Sequence, residues 1–591
     1  MTPMRGQVQP RVLREYAFIA DGERGALIGP DGTIAWMCAP RWDSPAVFAE
    51  LLGGDGRYGV APADSWHVSG GYYEGGSLIW RSRWVGQSVT ECREALAMPA
   101  DRHRCVILRR IEAANGPGRV TAVLDVRAGY GQDAMRSLKL AAGSWTGRDG
   151  QIRFRWSGAS KARPDSDGSL VMTLDLAAGE HHDLVLEVSD RPFDQDAPEP
   201  DVAWRATQEA WSSAVPGCDD LTAARDARHA YAVLRGLTAG SGAMVAAATT
   251  SLPERLEGGR NYDYRFAWIR DQCYTGIAVA AHAPHPLLGG ALRFLTERVL
   301  EDGPDLAPAY TVTGQRIPAE RKLRLRGYPG GTAVVGNSVR RQFQLDCLGE
   351  ILQFMATAAR HDMLAADNWH AVEVAAKAIS ERWHEAEAGL WELNDQLWTH
   401  SRLACVAGLR SIAAVARGAH DGHGLRRAAD WSALADKILG SLGSCVHGTG
   451  RWQRSPDDDR VDASLLLPVI RGAVATNDPR SRATLRAVID ELADDGYVYR
   501  FRHDARPLHE AEGAFLLCGF WMAQAMHLCG EPVEAARWFE RNRAACGPAG
   551  LYTEEYDVHQ RQLRGNLPQA FVHAGMLECA VTQSADGAAG D

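Results

Sequence analysis

The feature that most limits what this chain can become is a change in the period of its apolar residues near position 200. From residue 15 to about 190 the pattern is short-period and repeatedly cut by turn signals. GALIGPDGTIAWMCAP reads as strand, a turn at Pro30, Asp31 and Gly32, and strand again; CVILRRIEA, VTAVLDVRA and LVMTLDLAAGEHHDLVLEVSD repeat the theme. Such a run of short strands is most simply an antiparallel β-sandwich. Residues 190–202, DRPFDQDAPEPDV, are rich in proline and acid and mark a boundary. Beyond about residue 203 the period becomes helical: in RRQFQLDCLGEILQFMATAARHD, Phe343, Leu345, Leu348, Ile351, Leu352 and Met355 form one apolar stripe. Similar stripes recur in SRATLRAVIDELADDG, GAFLLCGFWMAQAMHLCG and PVEAARWFERNRAACG, between loops that concentrate Gly, Trp, Asp and Arg. That pattern predicts a toroid of antiparallel helices with a site at one end. The division read from the sequence is a sandwich over 1–202, a helical linker over 203–240 and a helical barrel over 241–591.

A chain of 591 residues is too long for one ordinary core, and its 23% of charged residues is the usage of a soluble globular protein. Its net charge of −10, with no long basic run, speaks against a nucleic-acid partner. No stretch approaches the length of a membrane span, and the N-terminal segment lacks the apolar run of a signal peptide. The 12 cysteines are scattered singly without a C-x-x-C pair, as buried reduced thiols are. A cytoplasmic protein is expected, with no metal and no cofactor; the oligomeric state is left open.

Motifs for metal-dependent hydrolysis, phosphate loops and serine elbows are missing. What stands out instead is carboxylates and arginines set among aromatic residues. RNYDYRFAWIRDQ places Tyr262, Tyr264, Phe266 and Trp268 among Asp263, Arg265, Arg270 and Asp271. A sugar ring has apolar faces and a rim of hydroxyls, so its site needs aromatic platforms and fixed polar partners. An amphipathic helix start with a local Arg–Asp pair would look the same. GLWELNDQLWTHS sets Glu392 between Trp391 and Trp398, and GLYTEEYDVH holds Glu554 and Glu555. Glycoside hydrolysis needs one carboxylic acid and one carboxylate, and the two tryptophans would shape a pocket that keeps the acid protonated. Either segment is equally consistent with a solvated helix edge.

Taken together and in order, SLPERLEGGRNYDYRFAWIRD, VGNSVRRQFQLDCLGEIL, GLWEL, VDASLLLPVI, EGAFLLCGFW and GLYTEEYDVHQRQLRGNLPQAFVHAGM resemble the glucoamylase and bacterial trehalase family, glycoside hydrolase family 15. The opening YAFIADGERGALIGPDGTIAWMCAPRWDSPAVFAELLGG is similar to the N-terminal domain of its bacterial members. The resemblance implies an N-terminal β-supersandwich followed by an (α/α)6 barrel, and an inverting mechanism that releases β-glucose from the non-reducing end of an α-glucoside. It implies Glu392 as general acid and Glu554 as general base, with their carboxyls about 6.5–9.5 Å apart to admit water. It further implies Arg270 and Asp271 on the hydroxyls of the terminal glucose. Tyr264, Trp268, Tyr328, Asn337, Trp391 and Glu555 are expected around the sugar; Glu555 and His573 could equally only support the base loop.

Two departures bear on substrate. Many bacterial relatives carry Arg two residues after the acid, where this chain has Asn394, and the loop GYPGGTAVVGN lacks the basic residues common there. Both changes suggest a neutral, short acceptor site. Trehalose is the first expected substrate, with isomaltose and maltodextrins second. A sugar phosphorylase and a non-catalytic carbohydrate-binding protein stay open as other classes.

Overall fold

In the computed structural model of this chain, residues 9–584 are described, apart from 65, 256–258, 419–421 and 504–505. The first residues of the segment read for an export signal therefore lie outside the described residues. The N-terminal part is two antiparallel sheets of eight strands each. The first runs in the order Ala17–Ala20, Gly25–Ile28, Thr33–Cys38, Arg57–Pro62, Gly118–Asp125, Leu170–Leu176 and Arg163–Pro164, with Ala46–Phe48 paired to Thr33–Cys38. The second is centred on His181–Ser189, Arg104–Ala113 and Val89–Leu96.

Alternation along a strand shows which faces are covered. In Leu170–Leu176 the residues Leu170, Met172, Leu174 and Leu176 are buried while Thr173 and Asp175 are exposed, as expected of a strand with one wet face. Ala17–Ala20 and Gly25–Ile28 are instead buried at every position, and Val89–Leu96 likewise. These strands are covered on both sides. Helix Pro200–Ala214 lies on the outside of the second sheet, with Trp204 under the Arg93 guanidinium at 4.1 Å and the Thr207 hydroxyl accepting from the Met98 N–H at 3.0 Å. The first sheet faces the helical part, where the Trp36 indole donates to the Ala248 carbonyl at 3.0 Å.

Among the described residues the helical part closes into a ring. Its inner members are Ile269–His282, Leu345–Arg360, Thr399–Gly418, the Ala463–Ile470 segment, Leu516–Leu528 and Ala570–Ser584, each packed on the next and the last on the first. The outer members are Ala224–Leu237, Pro286–Asp302, Ala366–Arg382, Gly422–Gly440, Pro479–Leu492 and Pro532–Arg543. This is an (α/α)6 barrel behind a β-sandwich. The span 203–240 is occupied by one helix on the sandwich and by Ala224–Leu237, which packs against the inner helix Ala570–Ser584. Inner helices such as Ile269–His282 and Leu516–Leu528 are buried nearly all round, because neighbours surround them.

Two inner helices touch backbone to backbone. A Cβ added at Gly349 would lie 2.5 Å from the Ala404 carbonyl, and one at Gly408 would lie 2.3 Å from the Gly349 carbonyl. No side chain can yield there, so Gly349→Ala must push Leu345–Arg360 and Thr399–Gly418 apart. The expected cost is about 1–3 kcal/mol, read as a lowered denaturant midpoint.

Two buried arginines tie the parts together. Arg265 forms a bidentate pair with Asp263 at 2.7 and 2.8 Å while its Nη1 reaches the Ser44 carbonyl at 2.9 Å and Cys38 Sγ at 3.2 Å. Inside the sandwich, Arg109 pairs with Glu94 at 2.8 Å and donates to the carbonyls of Tyr58 and Gly32.

Candidate active site

The loops that enter the inner helices at their N-terminal ends enclose a cavity of about 440 Å³. That is room for a small ligand. Trp268, Arg270 and Asp271 come from the start of Ile269–His282, and Asn337 and Gln342 from the loop before Leu345–Arg360. Leu390, Trp391, Glu392 and Leu393 precede Thr399–Gly418, Arg500 and Phe515 precede Leu516–Leu528, and Glu554, Gln569 and Phe571 flank the start of Ala570–Ser584.

Glu392 is presented by a tight turn. Its N–H donates to the Gly389 carbonyl at 3.1 Å and the Leu393 N–H to Ala388 at 2.9 Å, and the turn is closed by paired backbone bonds between Glu387 and Gln396. Gly389 sits at φ +70°, where a Cβ would meet the Trp398 ring at 2.7 Å. Glu392 itself has φ +56°, a left-handed conformation that costs a side-chain-bearing residue about 1–3 kcal/mol and persists only where its surroundings impose it. Its carboxyl accepts from the Trp268 indole N–H at 2.8 Å and lies 3.7 Å from Arg270 Nη2. Trp391, its neighbour in sequence, instead donates to Asp462 at 2.8 Å and packs on Phe515 and Trp521, and Trp398 lies under Arg454 at 5.1 Å. The indole that holds Glu392 is thus the one 124 residues away.

The turn rests on a buried carboxyl. Glu387 Oε2 accepts from the N–H groups of Gly389 at 2.7 Å and Leu345 at 3.2 Å, and burial, with Asp346 nearby, pushes its carboxyl up to about 8. The folded chain therefore holds a proton there that the unfolded chain releases near pH 4 to 5. Its contribution favours the fold fully below that range and is lost as pH rises through 8. Glu387→Gln keeps an acceptor for both N–H groups, so it is expected to fold and to show a smaller drop in melting temperature between pH 5 and pH 8 than the parent.

Beside Glu392, Arg270 donates to the Leu390 carbonyl at 2.9 Å, places its Nε 3.3 Å from Asp271 Oδ1 and has Phe571 against its guanidinium at 5.7 Å. Asp271 is 2% exposed and pushed up to about 6, by burial first, with Arg270 opposing. Its Oδ1 has no hydrogen bond among the described residues. A buried carboxylate and guanidinium with spare capacity at a cavity wall are suited to the hydroxyls of a sugar.

Across the cavity, Glu554 Oε1 accepts from the Tyr264 hydroxyl at 3.2 Å, while its Oε2 is buried and unbonded among the described residues. Tyr264 packs edge-on against Trp268 at 5.4 Å and flat against Tyr262 at 6.1 Å, so one aromatic run links the two carboxyls. Burial, then the negative charge of Glu254, pushes the Glu554 carboxyl well up; Arg500 opposes. Behind it lies an ion cluster. Arg500 reaches Glu512 at 3.1 Å, Glu555 at 3.1 Å and Glu254 at 3.7 Å, and Arg260 reaches Glu254 and Glu512 at 2.9 Å each.

Of the expected site residues, Glu392, Glu554, Tyr264, Trp268, Arg270, Asp271, Asn337 and Trp391 all line the cavity. Tyr328 does not: its hydroxyl donates to the Arg11 carbonyl, fastening its loop to the sandwich. Glu555 turns away to accept from the Gly513 N–H at 2.8 Å, and His573 accepts from the Tyr552 N–H at 3.3 Å. Both brace the segment that carries Glu554. Arg255 and Arg260 from another segment line the cavity with Arg270 and Arg500, together with the carboxyls of Glu254, Asp271, Glu392 and Glu554. Glu254, Arg260 and Arg500 went unnoticed in the sequence; the only signal was the acid and base within SLPERLEGGR, next to the aromatic run.

With this geometry in hand, comparison with known proteins is decisive. A family model for glycosyl hydrolases family 15 matches residues 228–581. The chain belongs to that family. A trehalase-like N-terminal model matches residues 2–143. As a family member the protein is a glycosidase. It is 29% identical to a trehalase of Mycobacterium tuberculosis, over 98% of this chain and 90% of that one. It is 27% identical to trehalase 1 of Sulfolobus acidocaldarius, over 96% and 98%. Its fold superposes on a bacterial glucoamylase solved with acarbose at a TM-score of 0.70 and 13% identity, over 98% of this chain and 94% of that one.

Proposed function

We propose that this family 15 glycosidase hydrolyses trehalose with inversion, with Glu392 as general acid and Glu554 as general base. The observation that carries the assignment is that both carboxyls line one cavity together with the buried Arg270–Asp271 pair. One glucosyl ring is held by Arg270 and Asp271 against Trp268 and Phe571. Glu392 gives its proton to the glycosidic oxygen as the bond to C1 breaks. A water attacks C1 from the opposite face and gives its proton to Glu554, leaving β-glucose from the attacked ring and α-glucose from its partner. The trehalase names of relatives that span almost the whole chain support trehalose as the substrate. The glucoamylase-like fold supports a second reading, an exo-hydrolase of isomaltose or maltodextrins.

Proton NMR of the enzyme with trehalose separates these readings. Equal early signals of α- and β-glucose are expected. Early α-glucose alone would overturn inversion, and silence on trehalose with β-glucose from isomaltose or maltose would move the assignment to α-glucans. We also propose that the enzyme works in the cytoplasm. Its cysteines are free and, apart from Cys546, buried, as in a reducing compartment, and no helix among the described residues is long and apolar enough to cross a membrane.

A further inference from the structure

Glu554 does not face the cavity alone. Glu254, 2% exposed, lines the same wall, and the Tyr264 hydroxyl lies 3.4 Å from its Oε1 and 3.2 Å from Glu554 Oε1. One hydroxyl has one proton to donate, so it serves only one of the two carboxylates at a time. Gly565 packs between them: a Cβ there would meet Glu554 Cβ at 3.5 Å and Glu254 Cγ at 3.6 Å. We infer that Glu254 is a positioning residue that acts through Glu554, sharing the Tyr264 hydroxyl with it and setting a fixed negative charge against it. The inference rests on Glu554 being the base.

The surroundings explain which partner carries the charge. Glu254 is the one held by guanidinium groups, Arg260 at 2.9 Å and Arg500 at 3.7 Å. Among the described residues Glu554 forms no ion pair: it accepts from the tyrosine hydroxyl and lies against Glu254, with Arg500 acting from further off. The other charged or titratable groups facing the pair are Arg255 next to Glu254, Tyr262 on the Tyr264 segment, Glu392, Arg270 and Asp271 elsewhere on the cavity wall, His503 and Glu512 on the Arg500 segment, and Glu555 on the base segment. Glu254 is the carboxylate that shares a hydroxyl donor with Glu554, so its charge is the one set directly against the base. Two carboxylates in one dry site resist ionising together. Glu554 therefore holds its proton to a higher pH than an ordinary glutamate, and the enzyme becomes active only as pH rises past that point. When a water then transfers its proton, Glu554 accepts it readily.

The test is the pH dependence of kcat/KM on trehalose, or on whichever α-glucoside the enzyme cleaves. The parent enzyme is expected to lose activity on its acid side well above the usual carboxylate range. Glu254→Gln, which removes the charge, is expected to move that acid limb down by about one pH unit or more. Glu254→Asp, which keeps the charge, is expected to restore it. If Glu254→Gln does not fold, Arg260→Gln, which strips a cation from Glu254, is expected to move the limb upward. A limb that stays in place in whichever variant folds overturns the inference. Glu554→Gln is run alongside: full activity there would overturn the assignment of the base instead, so the two failures are told apart.

Discussion

Glu392→Gln and Glu554→Gln are each expected to lower kcat by about 10²–10⁴-fold while leaving the fold intact. The first keeps an acceptor for the Trp268 N–H at the end of a side chain of the same length, so the turn at Gly389 is undisturbed. What it loses is the proton that the leaving oxygen must receive. The second keeps an acceptor for the Tyr264 hydroxyl but has no lone-pair base of useful strength. Because the two act in one transition state, the double variant should lose much less than the product of the single losses. Circular dichroism and melting temperature confirm folding, and substantial residual turnover in either variant would refute its role.

The largest expected effect on stability is at Arg500. Its guanidinium is buried and pairs with Glu512, Glu555 and Glu254, and the rings of Trp391 and Phe515 stand 5.6 Å away. Arg500→Met fills similar space but leaves Glu555 without its guanidinium and Glu254 and Glu512 with Arg260 as their one remaining guanidinium. Breaking such a pair from one side costs about 3–5 kcal/mol, because the remaining charge stays out of water without a partner. The variant should show a sharply lower urea midpoint, partly recovered at acid pH where the carboxyls take up protons. Arg500→Lys keeps the charge but cannot fork between Glu512 and Glu555, and should fall between the two. An unchanged midpoint in Arg500→Met would mean that the cluster is solvated and contributes little.

The two architectures were legible in the sequence because each imposes its own period: LVMTLDL alternates since one face is wet, and LDCLGEILQF carries a stripe since its helix packs inward. Glu392, Glu554, Arg270 and Asp271 were legible through whole motifs taken in order, whereas each alone looked like a surface charge. Orientation was not legible. Tyr328 sits where a sugar-facing aromatic is expected, yet its backbone aims it at Arg11, and nothing within GYPGGTAVVGN encodes that direction. The tryptophans beside Glu392 misled for the same reason: Trp391 and Glu392 are adjacent along the chain, but the positive φ of Glu392 sends the two side chains to different partners. The Glu254, Arg260, Arg500 and Glu512 cluster was hidden because its charges converge from segments some 250 residues apart, and ordinary charge patterning reads only neighbours.

Arg265 shows that the sandwich helps to position the candidate site and is not an appendage. It stands next to Tyr264 on the chain, yet its guanidinium is anchored to Cys38 of the first sheet and to Ser44 in the loop that follows it. The residue that touches Glu554 is thus located by a bolt driven into the other half of the molecule. A barrel expressed without its sandwich would lose the fixed end of that bolt, and with it the register of the Tyr264 hydroxyl. For anyone trimming or transplanting this enzyme, the seam visible in the sequence near residue 200 is therefore the wrong place to cut.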